Sequence, residues 1–292
     1  MDAADDALLA EHLAWLRLNG AGPVTVAARA GALARMAGLL GCPLLEASPD
    51  ALLAWRAGLQ LAPNSVLSYL SHARQFYAWA AAEGFLAASP ATGLPAPRRP
   101  RQIPRPIAED DLMLALAAAP PRIRPWLVLA GWAGLRAKEI ALLRREHVLE
   151  GRPVPILRVA HDATKGYTER LVPMSTFVLG ELRPLLPKYG WVFLRLDGRP
   201  GPLLPARVSH LANAHLHDCG TTSTLHSLRH RFATQAYAAS RDLRAVQELL
   251  GHAGPEQTAG YAAYHPAAAA AAVEAIPSPF ARELRVISGG CT

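Results

Sequence analysis

The sequence predicts a mainly α-helical protein of two domains, the second carrying a small antiparallel sheet. Three observations predict it. Residues 1 to about 86 form four helical stretches punctuated by Pro and Gly, an abruptly Pro- and Arg-rich stretch follows to residue 107, and beyond it the apolar period switches to two only around residues 156–172. A chain of 292 residues can bury two cores, and domains of roughly 100 and 180 residues are ordinary sizes.

In the first domain, expected over residues 1–90, Leu8, Leu9, Leu13 and Leu16 mark one helix and Val24 to Leu40 a second. Pro49 opens a third and Pro63-Asn64-Ser65 a fourth that runs to Gly84, since proline suits the first helical turn, where no hydrogen-bond donor is needed. Four such helices make a small bundle. The fourth carries Tyr69, Phe76, Tyr77 and Trp79, expected in the core, and His72 and Arg74, expected to face a nucleic acid. Between 91 and 107 lie Pro95, Pro97, Pro100, Pro104 and Pro106, interleaved with Arg98, Arg99, Arg101 and Arg105. That composition excludes helix and central strand and predicts an extended basic linker whose guanidiniums lie along phosphates.

From 108 to 292 a second domain is expected. Helices are predicted from Asp110 to Ala119, Trp126 to Leu135 and on through Leu143. Two strands, around Ile156–Val159 and Glu169–Val172, flank a turn with Lys165 and Gly166. Helices resume at Phe177–Leu186, Arg207–His217, Ser227–Ala239 and Asp242–Leu250, the last with Asp242 as N-cap and Gly251 as its stop.

Net charge is +7 with a pI near 9.7, which favours a polyanionic partner. Of 30 basic residues only Lys138, Lys165 and Lys188 are lysine, an excess of arginine that codon bias in a GC-rich genome explains as well as guanidinium chemistry does. Cys42, Cys219 and Cys291 are far apart and odd in number, so neither a disulfide framework nor a thiolate zinc site is indicated. His210, His215 and His217 with Asp218 and Cys219 fit no zinc spacing either. The acidic start Met1-Asp2-Ala3-Ala4-Asp5-Asp6 is unlike a secretory leader and no apolar run approaches the ~18 residues of a membrane span, so a soluble, cytoplasmic protein is expected.

The densest chemistry is near the C-terminus: Leu225-His226-Ser227-Leu228-Arg229-His230, then Leu250-Gly251-His252, then Tyr261. Imidazoles, a guanidinium and a phenol in this arrangement point to a tyrosine nucleophile aimed at a phosphodiester. Forming phenolate at neutral pH costs roughly 4 kcal/mol unless neighbours assist, and His226 and His252 are placed to do so. This order of motifs resembles the tyrosine recombinase, or phage integrase, family. Ala133-Gly134-Leu135-Arg136-Ala137-Lys138-Glu139 is similar to that family's first-arginine box, and the segment from Thr164 to Pro173 to its lysine hairpin.

The resemblance implies a catalytic set of Arg136, Lys165, His226, Arg229, His252 and Tyr261, supported by Glu139 and His230. The two arginines would bind the non-bridging oxygens of the transferring phosphate, and Lys165 would protonate the departing 5′ oxygen. Tyr264 is the competing nucleophile, but the nine residues from His252 to Tyr261 match the family. By the same resemblance, the first domain is a SAM-like core-binding domain that clamps a duplex with the catalytic domain in a C shape. The Ala-rich segment from Pro266 to Ile276 is then an exchange helix docking into a neighbouring protomer. The expected activity is site-specific recombination through a 3′-phosphotyrosyl link and a Holliday junction, with no cofactor and no metal, by a homo-tetramer on double-stranded DNA that is a monomer when free. Two rivals are a type IB topoisomerase, with the same cleavage chemistry, and a non-catalytic DNA-binding protein of the same fold. One departure is Ala239-Ser240-Arg241-Asp242, where the family carries a glycine.

Overall fold

The computed structural model describes residues 3–98, 105–151, 154–160 and 169–251. The chain divides into two compact units, Met1–Gln102 and Ile103–Thr292. Among the described residues no helix is long and apolar enough to cross a membrane.

The first unit holds α1 (Ala3–Leu18), α2 (Pro23–Leu40), α3 (Pro49–Gly58) and α4 (Pro63–Ala82). Proline opens α2, α3 and α4, and at α3 the Ser48 hydroxyl accepts the Ala51 N–H at 3.1 Å, satisfying a donor that the first turn leaves open. Phe76, Tyr77 and Trp79 of α4 are buried, as expected of core aromatics. The hydroxyl of Tyr77 donates to the Leu44 carbonyl at 3.0 Å, while Asp5 accepts the Leu44 N–H at 2.9 Å, so both polar groups of one buried residue are paired. The stretch expected as an extended linker is anchored at both ends. Ala91 and Leu94 are buried in the first core and Ile107 in the second, because these apolar side chains can reach a core before the prolines intervene. Arg74 donates to the Leu94 carbonyl, which fastens this stretch onto α4.

The second unit comprises α5 (Glu109–Ala117), α6 (Arg124–Ala133), α7 (Ala137–Ala141), β1 (Val148–Leu149), β2 (Ile156–Val159), β3 (Arg170–Pro173), α8 (Thr176–Leu182), α9 (Pro205–Asp218), α10 (Leu225–Ser240) and α11 (Leu243–Leu250). Helix α6 is apolar all round and buried from Pro125 to Gly131, forming the centre against which α10 packs. It ends at Gly134, whose φ of +65° suits glycine and whose missing Cβ admits the Phe232 ring; a Cβ there would lie 2.7 Å from Cε1 of that ring.

The sheet is antiparallel in the order β1-β2-β3, with Leu157 opposite Val172 and Val159 opposite Arg170. Two-residue β1 has no readable period and escapes sequence reading. Helix α10 begins at Leu225 rather than Ser227, because the Ser227 hydroxyl accepts the Thr224 N–H at 3.2 Å and closes the first turn around His226. At the other end of α10, Arg241 has φ 56° and ψ 11°. This is a left-handed helix stop of the kind that favours glycine, which the chain fills with an arginine at some steric cost.

Candidate active site

Five of the expected site residues converge. Arg136 caps α7 in extended conformation, and its backbone N–H donates to Oε2 of Glu139 at 2.8 Å, one turn on. The Arg136 guanidinium returns to Oε1 of the same carboxylate at 2.9 Å. From α10, Arg229 extends toward the same centre. It donates to the carbonyls of Gly134 and Leu250, the latter at 2.6 Å, and stands 3.7 Å from Oε2 of Glu139. Arg136 also reaches the Leu250 carbonyl, at 3.4 Å. The last carbonyls of α11 carry the negative end of the helix dipole, which explains why guanidiniums gather there.

The two arginines differ in access: the side chain of Arg136 is 28% exposed, that of Arg229 only 2%. Glu139 is buried among them. Burial alone pushes its carboxyl pKa up, but hydrogen bonds and charge from Arg170, with the charges of Arg229 and the Arg136 N–H, outweigh this and hold it below the ordinary carboxylate range. It is therefore an anion at neutral pH.

Arg170 was not among the residues singled out from sequence. It forms a fork on Glu139, Nη1 to Oε1 at 2.9 Å and Nη2 to Oε2 at 2.7 Å, and its Nε donates to the Leu249 carbonyl at 2.8 Å. The signal was there in the alternation of β3. With Val172 turned to the core, period two turns Arg170 inward as well, and an inward arginine needs a buried carboxylate.

His226 and His230 lie one turn apart on α10 with ring centroids 4.4 Å apart at 74°, edge to face. Desolvation by the surrounding protein, then the positive charges of Arg229 and Arg136, lower the His226 pKa. His230 falls to about 4, through burial first and then the neighbouring His226 and Arg229. Both rings are therefore neutral at pH 7, and a neutral His226 can accept a proton. The His230 ring thus packs edge to face against that of His226.

A cleft of about 480 Å³ opens in front of this cluster. Arg136 and Lys138 line it from α7, Ser209 and Asn213 from α9, and Thr224 and His226 from the start of α10. The side chain of Asn213 accepts the Leu225 N–H at 2.8 Å and so fixes one helix start against its neighbour. Residues 90 positions apart, Arg136 and His226, thereby face one solvent-accessible space beside a guanidinium cluster. A guanidinium open to such a space offers charged hydrogen-bond donors to an anion.

The family model described as the phage integrase family matches residues 107–267. The chain belongs to the phage integrase family of tyrosine recombinases. It is 34% identical over 218 residues to the tyrosine recombinase XerC of Xylella fastidiosa, an alignment covering 66% of this chain and 67% of that protein. With XerC of Serratia marcescens it shares 34% over 226 residues, 70% of each chain. With XerC of Xanthomonas campestris it shares 34% over 214 residues, and there it spans 61% of the relative's length. In fold it is similar to a lambda integrase dimer bound to a COC′ core site, with TM-score 0.70 and 19% identity over 88% of this chain and 76% of that one. XerH bound to its difH substrate before cleavage is similar too, at TM-score 0.66, 17% identity and coverage of 88% and 81%.

Of the remaining expected residues, Lys165, His252, Tyr261, the competing Tyr264, Arg99 and Arg101 lie outside the described residues, as does the Ala-rich segment 266–276. Arg98 and Arg105 are exposed. His72 and Arg74 sit half-buried on α4 in the first unit, His72 within 3.4 Å of the Ser68 hydroxyl. His215 contacts the Ala115 carbonyl through Nε2 at 2.8 Å.

Proposed function

We propose that the chain cleaves and rejoins double-stranded DNA at a specific recombination site through a 3′-phosphotyrosyl intermediate on Tyr261. The observation that carries this reading is the cleft in which Arg136 and His226 meet beside the Glu139-centred arginine cluster. The Tyr261 oxygen attacks the scissile phosphorus as neutral His226 accepts the phenolic proton, with His252 assisting. Negative charge developing on the non-bridging oxygens is met by the open guanidinium of Arg136, while Arg229 contributes positive charge from the wall behind it. The bond to the 5′ oxygen breaks and that oxygen takes a proton from Lys165. The freed 5′ hydroxyl of the partner strand then attacks the phosphotyrosine, so bond energy is conserved throughout.

The first unit and the linker arginines Arg98, Arg99, Arg101 and Arg105 hold the duplex in this reading, and the Ala-rich tail couples protomers. A lambda integrase tetramer bound to a Holliday junction, similar in fold with TM-score 0.67, is the precedent for a tetramer here. The chain acts on DNA in the cytoplasm.

The test is trapping on a nicked cognate substrate. Tyr261→Phe removes the hydroxyl and keeps the ring, so the variant binds DNA and forms no covalent adduct, whereas Tyr264→Phe is still trapped. Peptide mapping that places the DNA on Tyr264 overturns the assignment.

A further inference from the structure

We infer that Arg170 is a positioning residue for Arg136, acting through Glu139. The inference rests on the reading of Arg136 as the guanidinium that meets the scissile phosphate. Oxygen Oε1 of Glu139 receives Nη1 of Arg136 and Nη1 of Arg170, each at 2.9 Å. Oxygen Oε2 receives the Arg136 backbone N–H at 2.8 Å and Nη2 of Arg170 at 2.7 Å. Both hydrogen bonds from Arg136 to Glu139 thus end on an oxygen that Arg170 also holds.

The two arginines are unequally fixed. Arg170 begins a strand paired with Val159, its side chain is 5% exposed, and its Nε is tied to the Leu249 carbonyl at 2.8 Å. Gly251 lets it pass closely, for a Cβ at that glycine would lie 3.1 Å from Cδ of Arg170. Arg136 caps a helix of only five residues and opens into the cleft, and its other guanidinium contact is the longer one, 3.4 Å to the Leu250 carbonyl. The orientation of Arg136 therefore follows that of the carboxylate, and a planar fork locks a carboxylate in both position and plane. Arg170 fixes Glu139, and Glu139 aims Arg136. Arg170 itself is walled off by Glu139 and the Leu249–Gly251 turn and takes no part as a phosphate ligand.

A substrate whose scissile phosphate carries methyl in place of one non-bridging oxygen is neutral there and has less need of an aimed guanidinium. Single-turnover adduct formation on this and on the ordinary phosphodiester is compared for Arg170→Gln, Arg170→Lys, Arg136→Ala and the Arg136→Ala/Arg170→Gln double variant. The expected result is that Arg170→Gln binds DNA as the parent does, loses about 100-fold on the phosphodiester, as a misplaced catalytic group does, and regains most of it on the neutral substrate. Arg170→Lys, which keeps the charge without the fork, shows the same selective loss. Should Arg170→Gln fail to fold, Arg170→Lys carries the comparison.

Equal losses on both substrates, alongside recovery by Arg136→Ala, overturn the inference and leave Arg170 a structural ion pair. If Arg136→Ala itself does not recover, the reading of Arg136 as the phosphate's partner fails. The double variant then decides about Arg170: losses that multiply overturn the positioning role, and a double variant no slower than Arg136→Ala upholds it.

Discussion

Replacing Glu139 with glutamine changes one atom and tests the cluster most directly. The side chain of Glu139 is wholly buried, and of the guanidiniums around it those of Arg170 and Arg229 are 5% and 2% exposed. Withdrawing the carboxylate takes from the buried Arg170 guanidinium the anion that it forks and from Arg229 a negative charge 3.7 Å away, and the amide nitrogen of glutamine opposes donors with donors. Breaking a buried pair in this way costs about 3–5 kcal/mol, and Arg136, partly open to water, adds little. For a unit of this size each kcal/mol moves the melting point by about 2–4 °C, so thermal unfolding of the full chain should shift down by roughly 6–20 °C.

The exposed pair Arg244–Glu248, with side chains 78% and 64% accessible, provides the control, and Glu248→Gln should cost under about 0.5 kcal/mol. The acid response gives a second reading. Because the folded pKa of Glu139 is held below its unfolded value, its stabilisation is present above the ordinary carboxyl range and is lost as pH falls through the folded value; in Glu139→Gln that part of the acid sensitivity disappears. A loss for Glu139→Gln no larger than for Glu248→Gln would refute this account of the cluster.

Three further outcomes are expected. Gly134→Ala combines a left-handed φ with the Phe232 ring and should cost about 2–4 kcal/mol in urea unfolding, part of it recovered by Phe232→Leu; a neutral substitution would show that the helix stop tolerates a side chain. His12 is fully buried among Trp15, Phe76 and Trp79 with its pKa lowered to about 4 by burial and by Arg29. The unfolded chain then binds more protons, so the stability of the first unit should be full above pH 6.5 and fall by up to about 3 kcal/mol on approaching pH 4, and a His12→Leu variant with the same acid profile would contradict this. Neutralising Arg98, Arg99, Arg101 and Arg105 should lower the slope of log affinity against log salt by about 0.9 for every phosphate that these guanidiniums had neutralised, and an unchanged slope removes the linker from the DNA interface.

What the sequence determined by itself was local. Pro49 and Pro63 announce helix starts because proline's fixed φ acts within one turn, and Asp242 and Gly251 delimit α11, the former by capping N–H groups two and three residues on. The sequence likewise placed Arg229 and His230 on one helix, though the turn that adds His226 to it was legible only from the Ser227 cap, and the separated motifs were enough to show the family. The tertiary structure decided which charges meet. Arg170 and Glu139 are 31 positions apart, and nothing within a turn of either residue requires the other. Their fork exists because β3 turns alternate side chains inward just where α7 exposes a carboxylate. The same packing decides that Arg229 is buried while Arg136 opens to the cleft, since the Leu250 carbonyl and the Gly134 turn close over one guanidinium and leave the other facing solvent.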